Sequence, residues 1–385
     1  MLGGDAVEPT MQVLRTGEAS QWMAVMERCS AYDIGHLPAY HLVAERNGEG
    51  EASLFVYERL GHTIALPLLL RPLGSFGGAL TAGCKDATSV YGYAGPVFSG
   101  VDIPKSVLDD FRLALCATLR RERVISVFSR LHPLFDQRPI LSGLGECLQA
   151  GQTVSIDLTL PEEQQRAHYR RDLRKGIVKL QEAGAICRRD PEKRSMGVFV
   201  EMYRDTMCRV GAENYYVFDD RYFENLLSGL GPNLDLFICS MGDVQIGSLL
   251  VSTCCGIAQA YLSASAGEYM KWAPTKLVFD TVRGWATQCG FKVLHLGGGV
   301  GGKSDSLFHF KSGFSDRRHE FLTWRWIIEP ETYEKVCAAK TRWNLQHRLT
   351  HASSDYFPRY RSPSIPHLGE CPESNRSGPE ADATV

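Results

Sequence analysis

The segment whose spacing most resembles a chemical device is glycine-rich: Gly297-Gly298-Gly299-Val300-Gly301-Gly302-Lys303-Ser304. It fills every fixed position of G-x-x-x-x-G-K-S, the pattern in which bare amides and a helix N-terminus cradle phosphates while a lysine neutralises them. It follows a short apolar strand, Lys292–Leu296, and Asp305–Phe310 reads as a helix opening. Nucleotide hydrolysis fits poorly, because too little chain follows for the rest of a nucleotide-binding sheet. No later apolar strand ends in an Asp to hold magnesium. Two other readings remain, a flexible glycine turn or a loop in which Gly297, Gly298 and Gly299 lie against the phosphates of an acyl carrier or nucleotide-sugar. A second segment, His168–Lys179, carries Arg170, Arg171, Arg174, Lys175 and Lys179 with Asp172 as its only acid. On a helix this is a basic ridge suited to phosphate, or a solvated face. Tyr91 and Tyr93 stand between Gly92 and Gly95, where glycine lets the backbone come close to a ligand or fold into a packed turn. No Ser/His/Asp or Cys/His arrangement stands out, which favours direct attack over a covalent enzyme intermediate. His295 and His309 flank the glycine run.

The elements that would position these residues are of mixed type. Ala52–Arg59 and Thr63–Leu70 read as a hairpin, Pro104–Arg121 as a helix and Val124–Ser129 as a strand. Residues 135–152 are irregular and mark a boundary near 150. A second unit follows: a strand at Thr153–Leu158, one long basic helix over Glu162–Ala183, and a strand at Ala185–Arg189. Helices at Lys193–Arg209 and Asp220–Leu230 come next. Leu234–Ser240, Val244–Cys254 and Ile257–Ala266 then form three consecutive strands, followed by a helix over Pro274–Cys289 ended by Gly290. A strand at His319–Ile327 and a helix near Pro330–Arg348 close the folded part. Hairpins feeding a helix and a parallel strand predict an α/β fold with a mixed sheet, not a doubly wound parallel one.

Bulk properties narrow the partners. With 44% hydrophobic and 22% charged residues and a formal net charge of −2, no global field draws the chain to DNA or anionic lipid. The 12 cysteines lack metal spacing, so no metal site is expected and reduced thiols in a cytoplasmic protein are. Met1–Thr10 does not read as a signal peptide, and no apolar run approaches the roughly 20 residues of a membrane span.

Four stretches, in order, resemble the FemABX-type transferases of the GNAT superfamily. Lys292–Phe314 is similar to their strand, glycine-rich loop and Phe-Lys-x-Gly-Phe, here Phe310-Lys311-Ser312-Gly313-Phe314. Tyr91–Pro96 resembles their Tyr-Gly-x-x-Gly-Pro, His168–Lys179 their basic interdomain helix, and Tyr203–Tyr216 their Thr-x-x-Arg-x-Gly helix end. The resemblance implies two tandem GNAT-like domains over 1–150 and 151–330, a C-terminal helix over 331–360 and a disordered tail over 361–385. It implies N-acyl transfer to an amine of an amino sugar, amino acid or cell-envelope or polysaccharide precursor. The donor would be acyl-CoA or aminoacyl-tRNA, as a co-substrate and not a tightly bound cofactor. Lipid- or nucleotide-linked sugars are the acceptor partners it suggests. Such transfer needs stabilisation of a tetrahedral oxyanion, a proton acceptor and a neutral nucleophile. Lys311 with Phe310 fits the first, Glu213 and Asp305 are candidate bases, and Tyr215 and Tyr216 are candidate donors to an oxyanion. Arg209 and the basic segment suit the phosphates of a nucleotide-sugar, a lipid-linked precursor or tRNA. A degenerate transferase that binds a nucleotide-sugar without chemistry is the alternative.

Overall fold

The computed structural model describes residues 11–211, 217–351, 353 and 355–366. The strands in chain order are β1 (Gln12–Arg15), β2 (Glu51–Arg59), β3 (His62–Pro72), β4 (Lys85–Thr88), β5 (Val97–Phe98), β6 (Val124–Arg130) and β7 (Glu146–Asp157). They continue as β8 (Ala185–Asp190), β9 (Leu234–Met241), β10 (Val244–Cys254), β11 (Ile257–Ser265), β12 (Val293–Gly298), β13 (Arg318–Ile327), β14 (Leu349–His351) and β15 (Ser364–Pro366). The helices are α1 (Ala19–Arg28), α2 (Pro38–Arg46), α3 (Lys105–Arg121), α4 (Arg138–Leu141), α5 (Glu162–Ala167) and α6 (Arg171–Glu182). After them come α7 (Met196–Arg209), α8 (Asp220–Leu230), α9 (Thr275–Gln288), α10 (Ser306–Lys311) and α11 (Pro330–Gln346).

Among the described residues, β1 to β13 make one 13-stranded mixed sheet in the order β1-β2-β3-β4-β6-β13-β7-β12-β11-β10-β9-β8, with β5 on β3. The α/β class and the mixed sheet expected of a tandem GNAT-like chain are therefore observed. The hairpins follow from their turns. Leu60 and Gly61 (φ 51 and 78) join β2 to β3, and Cys255 and Gly256 (φ 44 and 78) join β10 to β11, the left-handed pair whose twist suits a two-residue hairpin loop. Residue 150 lies inside β7, and β13 pairs with β6 on one side and β7 on the other. The late strand β13 thus stitches the two halves into one sheet.

The halves also share a core. One buried cluster gathers Trp22, Tyr40 and Val43 from the first half with Phe199, Tyr203, Tyr222 and Tyr261 from the second. A second cluster lies under α6 and α9 and a third under α3, the latter including Trp324 and Trp326 of β13. The tail expected from 361 onward begins with an ordered stretch, in which β15 pairs with β14. Arg361 Nε donates to Asp86 Oδ2 at 2.8 Å, and the Tyr360 hydroxyl meets Ser126 Oγ at 2.7 Å.

The long basic helix expected over Glu162–Ala183 is two helices. The chain turns at His168–Arg170, with Arg170 extended (φ −57, ψ 141). Tyr169 is buried there and its hydroxyl donates to Asp280 Oδ1 at 3.0 Å, while the Arg170 amide donates to the Gly313 carbonyl at 2.7 Å. These long-range bonds replace the helical ones and bring the start of α6 beside α10.

Candidate active site

Strands β11 and β12 are parallel but pair only at Ile257–Gln259 with Val293–His295. Beyond that point β11 runs on to Ser265 and β12 to Gly298 without pairing each other, while β12 stays on β7. The sheet is split there, and Lys311, Tyr93 and Arg209 are the candidate side chains that lie near its open end.

Gly297 and Gly298 are strand residues, which corrects the expected loop. They face Val154 and Thr153 of β7 across a bulge after His295. Gly297 is left-handed (φ 77), and a Cβ on it would come 3.1 Å from Lys311 Nζ and 3.6 Å from the Tyr93 hydroxyl. Glycine here is what allows a lysine from α10 and a tyrosine from the first half to converge on the backbone. Lys311 Nζ donates to the Gly298 carbonyl at 2.7 Å. Burial pushes the Lys311 ammonium down to about 8, with the charge of Asp305 opposing.

Part of the backbone of the glycine run is engaged within its own turn. The Val300 amide donates to Asp305 Oδ2 at 2.8 Å, the Gly302 amide to the Gly299 carbonyl and the Lys303 amide to the Val300 carbonyl. Lys303 is exposed. Three of the amides that a P-loop would offer to phosphate, those of Val300, Gly302 and Lys303, are thus engaged within the turn. Asp305, expected as a base, is the N-cap of α10, its Oδ1 accepting from the Phe308 amide at 2.9 Å. Burial raises its carboxyl, but the amides of Phe308, Val300 and Leu307 outweigh that and hold it below the usual carboxylate range. A carboxylate so held is a poor proton acceptor at neutral pH. Phe310 sets its ring edge-on to Phe279 at 5.5 Å and Phe314 at 5.3 Å, which anchors α10 and so places Lys311.

Tyr93 contacts His295 (ring centroids 5.1 Å), Phe321 (5.4 Å) and His132 (6.1 Å). Its loop is clamped by residues that local spacing did not single out. Gln137 donates from Nε2 to the carbonyls of Ala94 and Pro96, both at 2.9 Å, and its Oε1 accepts the His132 amide at 2.8 Å. His132 is wholly buried, accepts the Leu134 amide on Nδ1 at 3.3 Å, and therefore carries its proton on Nε2 toward Asp33 Oδ2 at 3.1 Å. Gly35 lies so close to the Tyr93 carbonyl that no side chain fits between them.

Under Tyr93 a polar row crosses the sheet. His295 Nδ1 faces Gln259 Oε1 at 3.1 Å, and Ser155, the register partner of His295, meets His319 Nε2 at 2.7 Å. His295 is fully buried and its Nε2 has no partner among the described residues. Burial, then the charges of His132, His319 and Lys311, hold it neutral, well below its ordinary pKa.

Tyr91 turns the other way. Its ring meets Phe218 and Tyr261 edge-on at 5.6 and 5.9 Å, and its carbonyl accepts from the Tyr40 hydroxyl at 3.1 Å. Arg209 reaches the carbonyl of Ser265 at 2.9 Å and Thr206 Oγ1 at 3.2 Å, at the exit of β11 beside the split. Arg170 is paired with Asp172 and donates to the His309 carbonyl at 3.2 Å. Arg171, Arg174 and Lys175 are exposed on α6. Lys179 covers the Trp272 ring at 5.2 Å. Glu213, Tyr215 and Tyr216 lie outside the described residues. The cysteines among the described residues are free, no cluster of metal-ligating side chains occurs among them, and none of their helices is long and apolar enough to cross a membrane.

Residues 167–312 match a family described as "Acetyltransferase (GNAT) domain". No curated protein matches the chain. Among solved structures it is similar to FemX, with TM-score 0.64 and 14% identity over 84% of this chain and 98% of that one. It is also similar to L-PGS from Bacillus licheniformis (TM-score 0.51, 11% identity, 83% of this chain and 96% of that one). A third is the C-terminal domain of a putative lysylphosphatidylglycerol synthetase from Agrobacterium fabrum (TM-score 0.50, 11% identity, 82% of this chain and 93% of that one). At such identities the likeness is one of fold.

Proposed function

We propose that this FemX-like chain of the GNAT superfamily, whose GNAT domain spans residues 167–312, transfers an acyl or aminoacyl group from a phosphate-bearing carrier to an amine. The observation that carries the reading is the convergence of Lys311 Nζ and the Tyr93 hydroxyl on Gly297, at the open end of the β11–β12 split. A flat ester or thioester carbonyl fits such a slot. A nearby cation and hydroxyl supply positive charge where its oxygen becomes negative, in a part-buried place where that attraction is strong. The exposed Arg171, Arg174 and Lys175 on α6, with Arg209 at the β11 exit, give a basic approach for coenzyme A or the acceptor stem of tRNA. In the 3-10 turn after β11, the amides of Tyr269 and Ala273 are spent on the carbonyls of Ala266 and Met270, so donor phosphates would depend on side chains more than on a backbone cradle.

The acceptor is an amino sugar, an amino acid or a cell-envelope or polysaccharide precursor. The lysylphosphatidylglycerol synthetase structures add a lipid arm to the test. Purified protein is incubated with mixed labelled aminoacyl-tRNA or labelled acetyl-CoA. Each donor is tried with glucosamine, lysine and phosphatidylglycerol vesicles, the last offering a hydroxyl acceptor. The expected result is labelled amide from one donor class, lost in Lys311→Ala and largely kept in Lys303→Ala. Absence of product from both donors, or loss in Lys303→Ala with magnesium-dependent ATP turnover, would refute the proposal.

A further inference from the structure

We infer that Lys311 enters the transfer as a neutral amine, is the proton acceptor of the attacking nitrogen, and supplies positive charge to the carbonyl oxygen as the ammonium so formed. The inference rests on the transfer reading above and names the base that reading leaves open.

The geometry around Nζ carries it. The amine is half-buried, and its hydrogen-bond partner among the described residues is one backbone carbonyl, that of Gly298. Among the described residues no carboxylate lies within ion-pair distance of it. Asp305, on its own element, is the nearest acid invoked and has both oxygens on backbone amides, of Val300 and Phe308. From β12 the facing group is His295, held neutral with Nδ1 toward Gln259. From the first half it is Tyr93, backed by His132, whose Nε2 proton is committed to Asp33. His319 of β13, lowered by burial and by Arg317 and His132, turns its Nε2 to Ser155 Oγ at 2.7 Å. An ammonium desolvated without an anion loses its proton easily. The burial-driven fall of Lys311 to about 8 is the same physics. It places the group where a base works best near neutral pH.

The step balances without any further reactant. The acceptor nitrogen attacks the carbonyl carbon and a C–N bond forms. The C–O bond of an aminoacyl ester, or the C–S bond of a thioester, breaks. The lone pair on Lys311 Nζ takes the proton that the nitrogen sheds. The departing alkoxide or thiolate takes that proton back from the Lys311 ammonium, which returns the amine to its starting state.

Arginine separates the two roles, because it keeps the charge and cannot give up its proton. Transfer from mixed aminoacyl-tRNA and from acetyl-CoA to glucosamine and lysine is measured for wild type, Lys311→Arg and Lys311→Ala. Trimethylamine and imidazole are then added to the alanine variant; a tertiary amine forms no stable amide and so reports base rescue alone. The expected result is a loss of about 10²-fold or more in Lys311→Arg and partial recovery of Lys311→Ala with either added base. In wild type the kcat–pH curve should rise to a plateau with a midpoint near 8. Independently of activity, the Lys311 side-chain Cε resonance in ¹³C-lysine-labelled protein, assigned by its absence in Lys311→Arg, should titrate near the same value. Full activity of Lys311→Arg, or a Cε midpoint at the ordinary lysine value of about 10.4, overturns the base assignment while leaving transfer intact. Absence of product from wild type refutes the transfer reading itself.

Discussion

Gly35→Ala tests whether the first half of the chain shapes a site whose lysine belongs to the second. A Cβ at Gly35 would press into the Tyr93 carbonyl oxygen, with the Tyr93 carbonyl carbon at 3.1 Å and Ala94 Cα at 3.6 Å. To regain ordinary contact the oxygen must retreat by about 1 Å. The loop cannot yield freely, because Gln137 holds the carbonyls of Ala94 and Pro96 on the far side. The shift therefore passes to Tyr93 and away from Lys311. A displacement of about 1 Å at a reacting centre costs on the order of 10²-fold in rate, and overpacking of this kind costs about 1–3 kcal/mol in stability. Gly17→Ala is the control, since nothing lies within 4 Å of a Cβ there. Transfer rates and thermal midpoints of both variants are the assay. The expected outcome is a loss of about 10²-fold in kcat for Gly35→Ala, with a folded protein and near wild-type behaviour for Gly17→Ala. A folded Gly35→Ala with wild-type kcat would show that Tyr93 takes no part and would refute the composite site.

Other perturbations probe the supports. Asp280 is buried and accepts from Arg166 (3.2 and 2.6 Å), the Tyr169 hydroxyl (3.0 Å) and Arg283 Nε (3.3 Å). Asp280→Ala takes away the acceptor shared by Arg166, Tyr169 and Arg283, while Arg283 keeps Glu162 at 2.8 Å and Gln165 at 3.1 Å; it should cost about 1–3 kcal/mol by urea unfolding, with Asp280→Asn milder. Reversing the basic face with Arg171→Glu, Arg174→Glu and Lys175→Glu should raise KM for the phosphate-bearing donor and flatten its salt dependence without moving the thermal midpoint. His36 and His41 are buried neutral, lowered chiefly by burial to about 3 and about 4. The unfolded chain binds protons at these two sites below about 6.5 and the folded one does not. Their contribution to stability is therefore complete above that pH and falls by about 1.4 kcal/mol per pH unit for each as pH drops toward 4. Urea midpoints that stay flat from pH 7 to 4.5 would contradict this.

Much of the second half was legible because its signals are local. Val244–Cys254 and Ile257–Ser265 are dense β-formers joined by a turn that tolerates left-handed φ, and α9 begins after a proline and ends before Gly290. Lys311 stands out in the sequence for the same reason, through a motif written within a few residues. The break at His168–Arg170 was not legible. Helical spacing continues through it, and what interrupts the helix is Asp280, more than a hundred residues away, pulling Tyr169 inward. The glycines at 297 and 298 read as a loop because they have no side chains, whereas β7 pairs with their backbone alone. Asp33, Gly35, His132 and Gln137 gave no signal. Each is ordinary in its own segment and acquires meaning from contacts such as Asp33 with His132, 99 positions apart. The first 50 residues lack clean periodicity, yet they supply α1 and α2 and the wall behind Tyr91.

The most direct test of the account is a crystal structure of the protein with a non-hydrolysable, amide-linked aminoacyl-adenosine. The account predicts its carbonyl oxygen at about 2.7–3.1 Å from Lys311 Nζ, in the gap between β11 and β12, with Tyr93 on the opposite side. Density for the adenosine base or sugar wrapped by the turn at residues 299–304 and contacting Lys303, with the split empty, would contradict it.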